Sequence, residues 1–149
     1  MTRARDLASQ SSIVSTAPIF VSPEERWTIS ATSANTTVNF DADTQGVLYY
    51  TSNAGANWTL NIRGSSITTL NSKLSVGDSS TVIFLVTNGG TAYYHTALTI
   101  DGSAQTVKWS GGTVPSAGNA SAIDIYQFTI IKTDATPTYT VLASQTKFA

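Results

Sequence analysis

At 149 residues and 15.7 kDa the chain has the size of one domain with a real core. Hydrophobic residues make up 41% but charged residues only 11%, and Ser and Thr supply much of the remaining polarity. The net charge of −1, with no basic block, argues against nucleic acid as a partner. The absence of Cys excludes disulfides and thiolate metal sites, and no window offers the ~20 apolar residues of a membrane helix.

Residues 1–18 read as an N-terminal arm. "MTRARDLA" has helical character, with Thr2 as a cap, but is too short to stand alone. It carries Arg3 and Arg5 without the apolar stretch of a secretory signal. Arg3, Arg5 and Leu7 are its candidate contacts to a neighbouring protein, and residues 9–18 follow as an extended linker. Glu24 and Glu25 precede the first strand. As neighbours on an extended segment they diverge to opposite faces, which argues against a working acid–base pair.

Residues 19–149 read as short strands joined by turns. "RWTISA" puts Trp27 and Ile29 on one face, and "TVNF" does the same with Val38 and Phe40. Asp41 and Asp43 follow; two carboxylates at i and i+2 on an extended chain point the same way. They could join loop carbonyls around Ca²⁺, but no further acidic ligands and no closing Glu follow, so a solvated turn is the reading adopted.

"NWTLNIR" is the clearest alternating segment, with Trp58, Leu60 and Ile62 inward. "TVIFLVT" is apolar on both faces and reads as a central strand. Asn88-Gly89-Gly90 then reads as a hairpin turn into "TAYYHTALTI", with Tyr94, Leu98 and Ile100 on one face and Tyr93, His95, Ala97 and Thr99 on the other. Asp101-Gly102 offers another turn, "TVKW" another strand, and "AIDIYQFTII" with "TYTVLAS" a last pair. The remaining acids, Asp78, Asp101, Asp124 and Asp134, fall mainly in or near turns. About nine to eleven strands at this spacing predict an all-β fold: a jelly-roll-like antiparallel β-sandwich with a short N-terminal arm. No fixed-period repeat points to a solenoid or propeller.

The search for chemistry returns little. His95 is the only histidine, without the partners of a triad or a zinc site, and reads as a structural or surface residue. No nucleophile elbow, phosphate loop, dinucleotide fingerprint or zinc-protease motif occurs. The reading is therefore non-enzymatic: no catalytic residues, no cofactor, no metal. In the pairs Tyr49-Tyr50 and Tyr93-Tyr94 one ring of each must point away from the core, either into packing or a subunit contact, or onto the faces of sugars. "WSGGTVPSAGNASA" holds no acid, base or nucleophile arrangement and reads as a shaped connector. Trp109 either buries against the following strand or meets a neighbouring subunit.

"VKWSGGTVPSAGNASAIDIYQFTIIKT" and the closing "YTVLASQTKFA" resemble the C-terminal module of virion proteins from tailed bacteriophages, marine and cyanobacterial phages among them. "MTRARDLA" resembles the start of such proteins. The resemblance covers about the last 45 residues and the first eight, and is moderately specific. It implies a virion structural role, often as a symmetric oligomer, here expected to be a homotrimer. The long repetitive shaft of a tail fibre is missing, which favours a capsid decoration (cement) protein bound to the major capsid protein. The alternative is a tail component or appendage module that binds host glycan. The candidate partner-binding residues in either case are Arg3, Arg5, Leu7, Tyr49, Tyr50, Tyr93, Tyr94 and Trp109.

Overall fold

The structure, a computed structural model, describes residues 27–149. Ten strands occur in order: β1 (Trp27–Ser30), β2 (Thr36–Asp41), β3 (Val47–Asn53), β4 (Trp58–Arg63), β5 (Ser79–Thr87), β6 (His95–Ile100), β7 (Ser103–Gln105), β8 (Val107–Trp109), β9 (Ile123–Asp134) and β10 (Thr138–Phe148). A single turn of helix, α1 (Leu70–Lys73), sits between β4 and β5. One sheet has six strands in the order β1-β3-β5-β9-β10-β8, the other four in the order β2-β4-β6-β7. The two pack face to face, so the expected all-β sandwich is the observed architecture.

Strand direction departs from the expected antiparallel jelly roll. From β1 to β6 every strand lies in the opposite sheet from the one before it. Neighbours within a sheet are therefore two elements apart and run parallel: β1 with β3 with β5, and β2 with β4 with β6. This half of the molecule winds like a short two-sheeted solenoid. The winding leaves no fixed period in the sequence because the coil that begins at β3 carries the extra loop with α1. For the same reason residues 88–90 are a crossing between sheets and not a hairpin: β5 and β6 belong to different sheets. Among the described residues antiparallel pairing is confined to β6–β7, β5–β9 and β9–β10, while β8 lies parallel to β10 at the far edge.

Alternation supplies the core. Val38, Phe40, Trp58, Leu60, Ile62, Leu98 and Ile100 point inward from the smaller sheet. Leu48, Val82, Phe84, Val86, Tyr126, Phe128, Ile130 and Val141 meet them from the larger one. At the centre the Trp58 ring meets Phe84 and Tyr126 edge-on, with centroids 4.8 and 4.9 Å apart.

The short helix is held by tertiary contacts. Thr69 caps it by accepting from the Ser72 amide (3.1 Å), and the Asp101 carboxylate accepts from the Leu70 and Asn71 amides (2.8 and 3.0 Å). At the other end the buried Lys132 ammonium donates to the carbonyls of Asn71 and Leu74 (2.9 and 2.7 Å). A cation at a helix C-terminus also meets the negative end of the peptide dipoles.

Candidate functional site

His95 is only 3% exposed and lies inside a ring of aromatics. Its centroid is 5.2 Å from Trp58, 5.3 Å from Phe128, 5.5 Å from Trp109 and 5.9 Å from Tyr126. The sequence alternation places it opposite Leu98, yet both are buried. The pairing of β4 with β6 skips from Trp58↔His95 to Thr59↔Ala97, and the extra residue Thr96 turns His95 inward. Burial pushes its pKa down to about 4, against a smaller upward pull from a bond to the Ala97 backbone. Its Nε2 is buried without a partner. A neutral, shielded imidazole of this kind is a core side chain.

A second polar cluster closes one end of the sandwich. Asp124 lies within β9 and is fully buried, not in a turn as the sequence suggests. Its Oδ2 accepts from the Asn119 amide (2.9 Å), from Asn88 Nδ2 (3.2 Å) and, at the long end of the range, from Gln145 Nε2 (3.4 Å). Gln145 also donates to the Tyr126 hydroxyl (2.9 Å) and to the Ala117 carbonyl (3.1 Å). Burial raises the Asp124 pKa, while the bond from Asn119, the nearby Lys147 charge and Gln145 hold it back. Gly118 passes so close that a Cβ there would lie 2.7 Å from Asn88 Nδ2, 2.8 Å from Asp124 Oδ2 and against the Tyr93 carbonyl. The cluster pins the 113–121 segment onto the ends of β5, β9 and β10. Gly111 and Gly112 let the chain turn into that segment with φ of 71° and 72°. The segment is a fastened connector.

Two further carboxylates are also engaged internally. Asp41 and Asp43 do not converge: Asp41 Oδ1 pairs with Arg63 Nε at 2.6 Å, and Asp43 pairs with Lys73. Among the described residues no three His, Cys, Asp or Glu side chains gather as metal ligands would.

Of the proposed contact residues, Arg3, Arg5 and Leu7 lie outside the described residues, as do Glu24 and Glu25. Tyr50 packs edge-on against Phe84 at 5.2 Å, and Tyr93 also packs on the core. Trp109 is half-buried beside His95 and Phe128. Tyr49 faces the other way, level with Ile29 and Leu85 in the cross-strand register, and accepts a long bond from Thr87 Oγ1 (3.4 Å). Tyr94 is half-buried, its backbone tied to Asn57 and Trp58 at the entry to β6. The four tyrosines thus do not form one platform.

The outer faces of the two sheets differ sharply in chemistry. On the four-stranded sheet the outward row is Asn39, Asn61 and Thr99. Asn61 donates to Asn39, and Thr99 donates to Asn61, each at 2.8 Å. The Asp41–Arg63 pair extends this polar ladder. On the six-stranded sheet the rows pointing away from the other sheet are Trp27–Val47–Ile83–Gln127 and Ile29–Tyr49–Leu85–Ile125, of which Val47 and Leu85 are buried (0 and 6% exposed). Leu142, Ile123 and Phe148 lie on the same face. Trp27, Ile29, Leu142 and Phe148 are 47, 65, 44 and 50% exposed. This apolar face was not singled out by sequence reasoning, although its signal is present: both residue parities of 81–87 and 123–131 are apolar. No known protein family, curated protein or solved structure matches the chain.

Proposed function

We propose that the chain is a non-enzymatic structural component of a bacteriophage virion, a capsid decoration protein that acts as an oligomer on the major capsid protein. The observation that carries this reading is the apolar outer face of the six-stranded sheet, set against the polar ladder on the opposite sheet. Exposed apolar side chains such as Trp27, Ile29, Leu142 and Phe148 are what interaction surfaces offer, because covering them releases ordered water. The inward engagement of His95, Asp124, Lys132 and Asp101 supports the non-enzymatic part: each is committed to packing or to a cap. The resemblance of residues 107–133 and 139–149 to phage virion proteins supports the location. The test is co-sedimentation of the purified protein with capsids and, separately, with tails of the phage that encodes it. Saturable binding to capsids is expected. Binding to tails alone would move the protein to an appendage, and binding to neither would refute a virion role.

A second reading, a host-glycan module, draws on one feature. A groove of about 450 Å³ runs between residues 113–117 and the end of β10, lined by Ser110, Thr113, Ser116, Ser144, Gln145 and Thr146. Hydroxyl and amide groups of this kind suit a sugar. A glycan array without signal at high protein concentration would remove this reading.

A further inference from the structure

We infer that the chain binds one small, uncharged, polyhydroxylated ring, a sugar or a similar polyol, in the cleft between β7, α1 and the start of β10. This pocket is separate from the groove beside residues 113–117, which lies at the other end of β10. The virion role proposed above does not require it.

The pocket holds about 200 Å³, and strand register places its lining. Ser103 and Gln105 on β7 pair with Ile100 and Leu98, both buried, and so point to the same inward side. Tyr139 shares its parity with the buried Val141 and Ala143 and packs on the core from β10. Asn71 comes from α1, and Asp101 from the turn that enters β7. Ile100 and Pro137 add apolar surface.

Two polar groups of this lining have nothing to bond. Asn71 Oδ1 and the Tyr139 hydroxyl are both shielded from solvent, and both lack a partner among the described residues. Folds seldom leave such atoms, because each gives up its water without a replacement. Their meeting in one pocket is explained if a ligand supplies the partners. Asp101 adds a carboxylate fixed in place: each oxygen accepts one α1 amide (2.8 and 3.0 Å) and keeps capacity for another bond.

These groups define the ligand. Asn71 Oδ1 and the carboxylate only accept, while the Tyr139 and Ser103 hydroxyls can also donate. Burial, with a smaller push from the Asp101 charge, raises the Tyr139 pKa, so that hydroxyl keeps its proton to donate. The matching ligand groups both donate and accept, as hydroxyls do. A cation is disfavoured because Lys132, the register partner of Tyr139, already holds its ammonium 2.9 Å from the Asn71 carbonyl. An anion would face Asp101. The Tyr139 ring, Ile100 and Pro137 suit the C–H faces of a sugar. The volume falls below the ~300–1,000 Å³ of sites for drug-sized ligands, which limits the occupant to about one ring.

The test is titration of the isotope-labelled full chain, read by amide shifts. The probes are the methyl glycosides of glucose, galactose, mannose and N-acetylglucosamine, with butylammonium and acetate as charged alternatives. Saturable millimolar binding of at least one glycoside is expected, with shifts confined to residues 69–73, 100–105 and 137–140. Tighter binding of an oligosaccharide ending in that ring would assign the pocket to a glycan end, and equal binding to a free sugar. Tyr139→Phe and Asn71→Ala should each weaken binding about fivefold, the loss of roughly one hydrogen bond. Neither should lower the urea midpoint of the unliganded protein, because the atoms removed have no partner in the fold. A merely structural hydroxyl would do the reverse. Binding of no glycoside overturns the inference, as does binding of a charged probe alone. Shifts centred on residues 113–117, variants that bind as the wild type does, or a less stable Tyr139→Phe would equally overturn it. None of these outcomes bears on capsid co-sedimentation, so the two proposals fail separately.

Discussion

Acid should destabilise this protein through His95 well before its carboxylates titrate in the ordinary range. The imidazole is walled in by Trp58, Trp109, Tyr126 and Phe128, and burial lowers its pKa to about 4 from the usual 6.5. In the unfolded chain it takes up a proton near pH 6.5, and in the folded chain only near pH 4. Between those values the unfolded state holds more protons, so stability rises with pH across the window and is flat above it. Integrating one proton over that interval gives a loss of about 2 kcal/mol by pH 5 and about 3 kcal/mol by pH 4, relative to pH 7.5. The residue is almost fully shielded, so solvent screening takes little from this figure. Asp124 acts in the opposite sense: its raised pKa means the fold gains from its protonation as pH falls. Urea unfolding of the wild-type protein and His95→Phe at pH 7.5, 5 and 4 separates the two, because Asp124 is common to both. The variant should lose less stability on acidification, by about the amounts above, whatever constant offset the substitution introduces. Parallel stability curves would refute the reasoning, as would a His95 resonance that titrates near pH 6.5.

Other substitutions test the remaining contacts. Gly118→Ala forces a methyl group against the Tyr93 carbonyl, Asn88 and Asp124, and should cost about 2 kcal/mol in denaturant unfolding; a neutral result would mean that the connector has slack. Lys132→Met keeps the buried stem but strips the donor from the Asn71 and Leu74 carbonyls. It should cost about 1–3 kcal/mol and speed amide exchange in residues 69–78, and unchanged exchange there would dismiss the capping role. Arg63→Met breaks a partly exposed pair with Asp41 and should cost less than about 1 kcal/mol, with a larger loss marking the polar ladder as cooperative.

Local alternation gave the inward face in some strands and not in others: in β1 the alternating apolar residues Trp27 and Ile29 are 47 and 65% exposed. In 57–63 the alternation assigns Trp58, Leu60 and Ile62 to the interior, and all three are fully buried. Residues 122–131 were expected as a strand, and β9 covers all of them but Ala122 while running on to Asp134. The misses share a cause. His95 was placed on the wrong face because one extra residue in β6 breaks the period, and nothing in "YYHTAL" marks the break. Asp124 was expected in or near a turn and Lys132 was not singled out, since their burial depends on partners such as Asn88, Gln145 and the Asn71 and Leu74 carbonyls that lie 21 to 61 residues away in sequence. Asp41 and Asp43 do share a spacing, but Arg63 and Lys73 pull them to separate cations.

Composition and period-two alternation by themselves determined that this protein is an all-β sandwich without disulfides, because each half-buried strand must write its inward face into every second residue. Only the tertiary structure decided which strands are neighbours and in which direction they run, since a strand's alternation is the same read parallel or antiparallel. It also decided which outer face stays apolar. A residue on either parity of a doubly apolar strand has the same local sequence, and only the arrangement of the sheets determines which parity enters the core and which is left facing out.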